Sequence, residues 1–226
     1  KDTLDPILVI TNPGVINSYN SGSYSFSGSC TNGDGAVSYT IHSPSGGADI
    51  TGSTSCNGSF SVSGLDLSSL NDDSAISFDA TQTDSYGNMG AASQKTALKD
   101  VVLPVVSINS VVTINNSNVS NYSISGTCTD GDGNTTYTIS SPAGGSVSNS
   151  VSCSGGLWTS GSISLVSLND HAGVTFDASQ TDSAANLGAS AQLTAIKDTQ
   201  APVVTINPVS TINMSNVTSY SISGTC

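Results

Sequence analysis

The chain has 226 residues and a net charge of −12, from 16 acidic residues, all Asp, against four lysines and no arginine or glutamate. So few cations cannot neutralise a run of phosphates, which excludes nucleic-acid binding and a basic membrane-surface mode. Charged residues are 9% of the chain and Ser, Thr and Asn supply 88 of 226, a composition short of helix formers and rich in strand and turn formers; no run of 18 apolar residues could make a spanning helix.

Short alternating runs divided by Gly, Asn, Asp and Pro then predict strands in chain order. Ile7 to Ile10 reads as strand A. Tyr24, Phe26, Gly28 and Cys30 share one face of strand B, and Val37, Tyr39 and Ile41 one face of C. Strand D falls near Asp49 to Ser55, and Phe60, Val62, Leu65 and Leu67 belong to E. Ile76, Phe78 and Ala80 form the inner face of F, and G covers Ala91 to Leu98. About seven short strands in a unit of this length, with no helical period, predict an all-β fold: an Ig-like antiparallel β-sandwich.

The unit recurs. Lys1-Asp2 returns as Lys99-Asp100 and Lys197-Asp198, at the same 98-residue offset that relates Pro6, Pro104 and Pro202, and Cys30, Cys128 and Cys226. Leu70-Asn71-Asp72 matches Leu168-Asn169-Asp170, and Gln82-Thr83-Asp84 matches Gln180-Thr181-Asp182. This predicts domains at 1–98 and 99–196, with 197–226 as strands A and B of a third. Two strands cannot bury a core, so the expectation is a piece of a longer chain that continues past Cys226. The linkers hold Pro104 and Pro202 and no flexible Gly/Ser spacer, which predicts a semi-rigid rod.

Strands B and D both end where the chain comes into the domain, so Cys30 and Cys56 can bridge neighbouring strand ends, as can Cys128 and Cys153. The alternative is reduced, buried thiols; one pair per repeat is the pattern of an exported protein.

The unit resembles the bacterial Ig-like domains found in tandem in large surface and secreted adhesins. The residues that carry the resemblance are Asp198-Thr199-Gln200-Ala201-Pro202, then Ser223-Gly224-Thr225, then the turn Asp84-Ser85-Tyr86-Gly87-Asn88. The second unit departs from it at Ala185 in the turn and at Asp100-Val101-Val102-Leu103-Pro104, whose linker lacks the Thr. The resemblance implies an extracellular or cell-surface location and a structural role.

The aspartates gather. The B–C and F–G loops lie at the leading end of each domain, which for the second unit collects Asp100, Asp130, Asp132, Asp182 and Asn186. Asn71-Asp72-Asp73 of the first unit faces the same junction from its trailing end. Carboxylates and an amide without His or Cys suit Ca²⁺, and the resemblance also implies interdomain Ca²⁺. Against this, Asn32-Gly33-Asp34-Gly35 and Asp130-Gly131-Asp132-Gly133 are ordinary turn sequences, and solvated turn aspartates are the alternative. Asp79 and Asp177 fall on the outward face of F.

His42 and His171 are not equivalent positions and no Ser–His–Asp set repeats, so no enzyme is expected. Trp158, matched by Phe60, reads as a core aromatic rather than a sugar platform. The expected function is a stalk of tandem Ig-like repeats in a large exported bacterial adhesin-like protein. Its partners are neighbouring repeats of the same chain, and a host or neighbouring-cell glycan or protein is reached through regions outside 1–226. The alternative is a self-assembling extracellular filament or sheath, in which strands 203–225 complete a sandwich in another chain.

Overall fold

In the computed structural model, which describes residues 1–226, the chain forms strands and no helix. The first eight are β1 (Val9–Ile10), β2 (Tyr24–Ser29), β3 (Val37–His42), β4 (Ile50–Thr54), β5 (Ser59–Leu65), β6 (Asp73–Thr83), β7 (Met89–Ala91) and β8 (Lys95–Lys99). They make two sheets. One has the order β1-β2-β5; the other has β4-β3-β6, with β7 and β8 both paired to β6. Alternation decides which faces meet: Tyr24 and Phe26 of β2, Phe60 and Val62 of β5, Val37 and Ile41 of β3, and Ile76, Phe78 and Ala80 of β6 are all buried in one cluster. Phe26 sits at its middle, edge-on to Tyr39, Phe60 and Phe78 at centroid distances of 5.5, 6.0 and 5.4 Å.

The second set repeats the first: β9 (Ile114–Asn115), β10 (Ser125–Thr127), β11 (Thr135–Ser140), β12 (Ser146–Val151), β13 (Leu157–Thr159), β14 (His171–Thr181), β15 (Leu187–Ala189) and β16 (Leu193–Asp198). Its core runs from Val106 to Ala178 and shares no residue with the first. In both, the first segment of the chain changes sheets. Residues around β1 pair with β2, and then Ile16 runs parallel to Lys99, as Ile114 does to Lys197. β17 (Thr205–Ile206) and β18 (Gly224–Thr225) form a hairpin whose Val203, Ile206 and Ile222 are exposed.

One strand expectation gains its sheet and two change. The run expected as D is β4, and it pairs with β3, in the sheet opposite β5. The seven-residue connection 43–49, tightened by Gly46 and Gly47 at φ 101° and 102°, folds it straight back as a hairpin. Its end still reaches Cys30. The expected G strand is split into β7 and β8, with Ala92 donating to the Ala80 carbonyl between them. Asp73, placed in a loop by sequence, begins β6 and pairs with Lys99.

The disulfides are Cys30–Cys56 and Cys128–Cys153; Cys226 is free and exposed. Beside each lies a close approach that needs glycine. A side chain at Gly28 would overlap the Val9 carbonyl and the Phe60 ring, and one at Gly126 the Ser107 carbonyl and the Trp158 indole. Trp158 is 2% exposed, donates Nε1–H to Ser107 O at 2.9 Å and stacks on Tyr137.

Tyr137 is fully buried and its hydroxyl has no partner. A lone buried hydroxyl opposes folding, so Tyr137→Phe is expected to stabilise the second sandwich by about 1 kcal/mol in urea unfolding. An equal or lower midpoint would contradict this.

Candidate functional site at the joint between the two sandwiches

The joint is built on the β14–β15 turn, residues 182–186. Asp182 Oδ1 accepts the N–H of Ala184 at 2.9 Å and of Asn186 at 2.8 Å, and its Oδ2 accepts Asn186 Nδ2 at 2.8 Å. This closed turn leaves Asn186 fully buried and pointed at the first sandwich. Its Oδ1 accepts the Ser18 N–H at 2.8 Å, and Nδ2 also donates to the Asp100 carbonyl at 2.9 Å. Beside it, Asn17 Nδ2 donates to Ala184 O at 2.9 Å. One amide therefore joins the first sandwich, the linker and the second sandwich.

The linker is held from both sides. Asp100 N–H donates to Ile16 O at 3.0 Å and Val101 N–H to Asp72 Oδ2 at 3.0 Å. At the end of the linker, Pro104 lies against Gly188, where any side chain would overlap its carbonyl. Asp72 is anchored by Lys99, whose Nζ donates at 2.6 Å and which is only 2% exposed. The same set recurs one repeat on: Lys197 Nζ donates to Asp170 at 2.6 Å, and the Thr199 N–H and hydroxyl also donate to that carboxylate. The Lys197 hydrogen bond, then the Thr199 N–H, pull the Asp170 carboxyl down to about 2.

The residues proposed for Ca²⁺ divide. Asp132 stands within electrostatic reach of Asp182 and Asp100: burial, then Asp182, then Asp100 push its carboxyl up. The Ser18 hydroxyl in the joint has no partner. Asp72 is instead committed to Lys99 and Val101. Asp73 accepts the Ser45 hydroxyl at 2.6 Å and the Ala75 N–H, and Ser45 first, then Ala75, lower its carboxyl. Asp130 is exposed. The Asn186 oxygen is taken by Ser18. No group of three His, Cys, Asp or Glu side chains is arranged to hold a metal ion. Asp79 and Asp177 are not bare: Gln94 and Gln192 donate Nε2 to both oxygens of each.

The strongest contact that sequence reasoning missed is a buried glutamine. Gln82 accepts Thr31 N–H at 3.1 Å and donates to Thr31 O and Gly35 O at 2.9 and 3.0 Å, pinning the β2–β3 loop. Gln180 does the same at Thr129 and Gly133. Its signal was in the repeated Gln-Thr-Asp, as a polar residue at an inward strand position. Gln180→Leu leaves three backbone groups short of a partner, and a loss of about 2 kcal/mol is expected, with faster amide exchange at Thr129. Unchanged exchange at Thr129 would refute this role.

His42 pairs with Asp49 at 2.7 Å at an exposed strand end, and His171 Nδ1 accepts the Gly173 N–H. No helix is long and apolar enough to cross a membrane.

No protein-family model matches the sequence, and no curated protein matches it. Solved structures do. One is from a 1.5-MDa bacterial ice-binding adhesin retained at a host cell surface, at 20% identity over 92% of this chain and 70% of that one, TM-score 0.45. Another is the tetra-tandem repeat in the extending region of a large adhesion protein, at 24% identity over 91% of this chain and 52% of that one, TM-score 0.42. A third is a Ca²⁺-stabilised adhesin that helps an Antarctic bacterium reach out and bind ice, at 25% identity over 99% of this chain and 58% of that one, TM-score 0.47. The chain thus spans just over half the length of the last two. In all three cases, what this chain is similar to is a large adhesin or a piece of one.

Proposed function

We propose that this chain is a length of structural stalk in an exported, cell-surface adhesin-like protein: units 1–98 and 99–196 and the start of a third at 197–226, joined end to end to hold a binding part at a distance. The observation that carries the reading is Asn186, whose amide bonds Ser18, Asp100 and Asp182 together. A joint closed by direct hydrogen bonds and a tethered linker resists bending, which a spacer needs and an independent binding module does not. The partners at this surface are neighbouring units of the same chain.

Ca²⁺ adds to this joint by offsetting the negative charge that Asp182 and Asp100 place around Asp132. The support is the repulsion of Asp132 by Asp182 and Asp100, which a hard cation relieves.

Residual dipolar couplings of the whole chain, with Cys226 capped, test both points. Backbone couplings of the two units are expected to fit one common alignment tensor in EDTA, with a Ca²⁺-dependent rise in melting temperature. Separate tensors would overturn the stiff stalk. An unchanged melting temperature would remove Ca²⁺ and leave the stalk standing.

A further inference from the structure

The β14–β15 turn and its twin between β6 and β7 are alike inside and differ at two side chains. In the first, Asp84 Oδ1 accepts the N–H of Tyr86 and Asn88, both at 2.8 Å, and Asn88 Nδ2 donates to Asp84 Oδ2 at 2.6 Å. Asp182 holds Ala184 and Asn186 in the same way. Two of the five residues differ: Tyr86 against Ala184 and Gly87 against Ala185.

In the second turn those two positions sit where the sandwiches meet. Ala184 is 1% exposed, and its carbonyl takes the Asn17 amide of the first sandwich. Tyr86 holds the same place on the leading end of the first sandwich. Ala185 has φ 67°, and it is the non-glycine residue of the chain with positive φ, where Gly87 sits at 89°. The trailing loops, in contrast, are built alike. Asn17 N–H donates to Asn20 Oδ1 at 2.8 Å, and Asn115 N–H to Asn118 Oδ1 at 2.8 Å. Asn116 and Ser117 stand where the first unit has Ser18 and Tyr19. The trailing loop, however, meets the turn through the Asn17 amide and the Ser18 backbone N–H, and Asn115 repeats Asn17. In the leading turn the contact residue itself changes, from Ala184 to Tyr86.

We propose that the third residue of this turn decides whether a unit locks onto the one before it. Ala184 locks, because its enclosed methyl lets the turn approach Asn17 and Ser18 closely enough to bond. Tyr86 does not, because a phenol ring in that place holds the two backbones apart. A Tyr86-type leading end therefore joins a predecessor of this kind through its linker alone, as a hinge. The stalk becomes a series of stiff and hinged joints written by one side chain. The proposal rests on the stalk reading above.

The test transplants the first turn into the second. Ala184→Tyr with Ala185→Gly, in the whole chain with Cys226 capped, reproduces the Ser-Tyr-Gly sequence that folds at 85–87. It also removes the positive-φ alanine, so failure to fold is not the expected outcome. Its two sandwiches are expected to lose the common alignment tensor, while amide shifts away from the joint stay in place. Ala184→Ser is expected to keep the tensor. A common tensor in the transplant overturns the proposal and leaves the stalk intact. Separate tensors already in the unaltered chain overturn both.

Discussion

Replacing Cys128 and Cys153 together by alanine is expected to destabilise the second sandwich by about 3 kcal/mol, or a melting shift of about 15 °C for a unit of this size. The bridge joins residues 25 apart, and an open loop of that length adds conformational freedom mainly to the unfolded chain. The effect is large here because the core is thin. It has 14 buried apolar residues, and polar Gln180 and Thr135 lie among them. The bridge also does a local task. Cys128 N–H donates to the Gly156 carbonyl at 3.0 Å, and the chain crosses between β12 and β13 just beside Cys153. Without the disulfide, that crossover has the Ser154–Leu157 bridge and the backbone bond from residue 128 to Gly156 to hold it. Removing both thiols avoids leaving a reactive one. Differential scanning calorimetry reads the result. The second sandwich's transition is expected to move while the first, with its own core and its own Cys30–Cys56 bridge, stays in place. If both transitions move together, the two sandwiches unfold as one unit. If neither moves, the bridge carries no stability.

The two-layer fold was legible because it rests on alternation. Phe26, Phe60, Ile76 and Phe78 lie inside because they sit at every second position of runs bounded by turn residues. The bridges were legible because strand direction brings Cys30 and Cys56 to the same end whichever sheet the intervening strand joins. That is why the pairing could be read without knowing that β4 joins β3. Sheet membership itself was not legible. Alternation says which face of β4 is inward, not whose edge it pairs with; a short turn with two left-handed glycines settles that.

The joint was read only in part. Asn186 and Asp100 were picked out for their oxygens, as metal ligands, yet Asn186 acts as a hydrogen-bond hub. Sequence places loops at an end but does not say which lone pairs a neighbouring backbone will occupy. Asn17 and Ser18 were not seen at all, since nothing in a loop of Asn and Ser marks two of them as contacts in so Asn- and Ser-rich a chain. Lys99 and Lys197 were seen as repeat markers and placed in linkers. Their burial follows from strand alternation, which puts Lys99 on the inward face of β8 with Ala97 and Lys197 at the equivalent place in β16, and which the period alone does not reveal.

That buried lysine gives the second large effect, and it is asymmetric. Asp72→Ala is expected to cost about 3 kcal/mol, because it leaves the Lys99 ammonium enclosed without its counter-charge. Lys99→Met is expected to cost much less, since the Asp72 side chain keeps 30% exposure and can be hydrated. The double variant should recover most of the Asp72→Ala loss, so a double-mutant cycle on urea unfolding separates the pair from its surroundings. Equal losses from the two single variants would contradict the burial argument. Asp72 also holds Val101 N–H, so Asp72→Ala frees the first residues of the linker while Lys99→Met does not. The pH dependence of the equivalent pair has a definite sign. Asp170 is depressed from 3.8 to about 2, so the folded chain binds its proton less readily than the unfolded one. Its contribution is fully present above 3.8 and is lost as pH falls from there through about 2. Asp170→Asn should flatten the stability curve of the second sandwich across that acid window. An acid limb as steep as that of the unaltered chain would assign acid unfolding to other carboxylates, such as Asp84, which Asn88 holds low by its side-chain hydrogen bond.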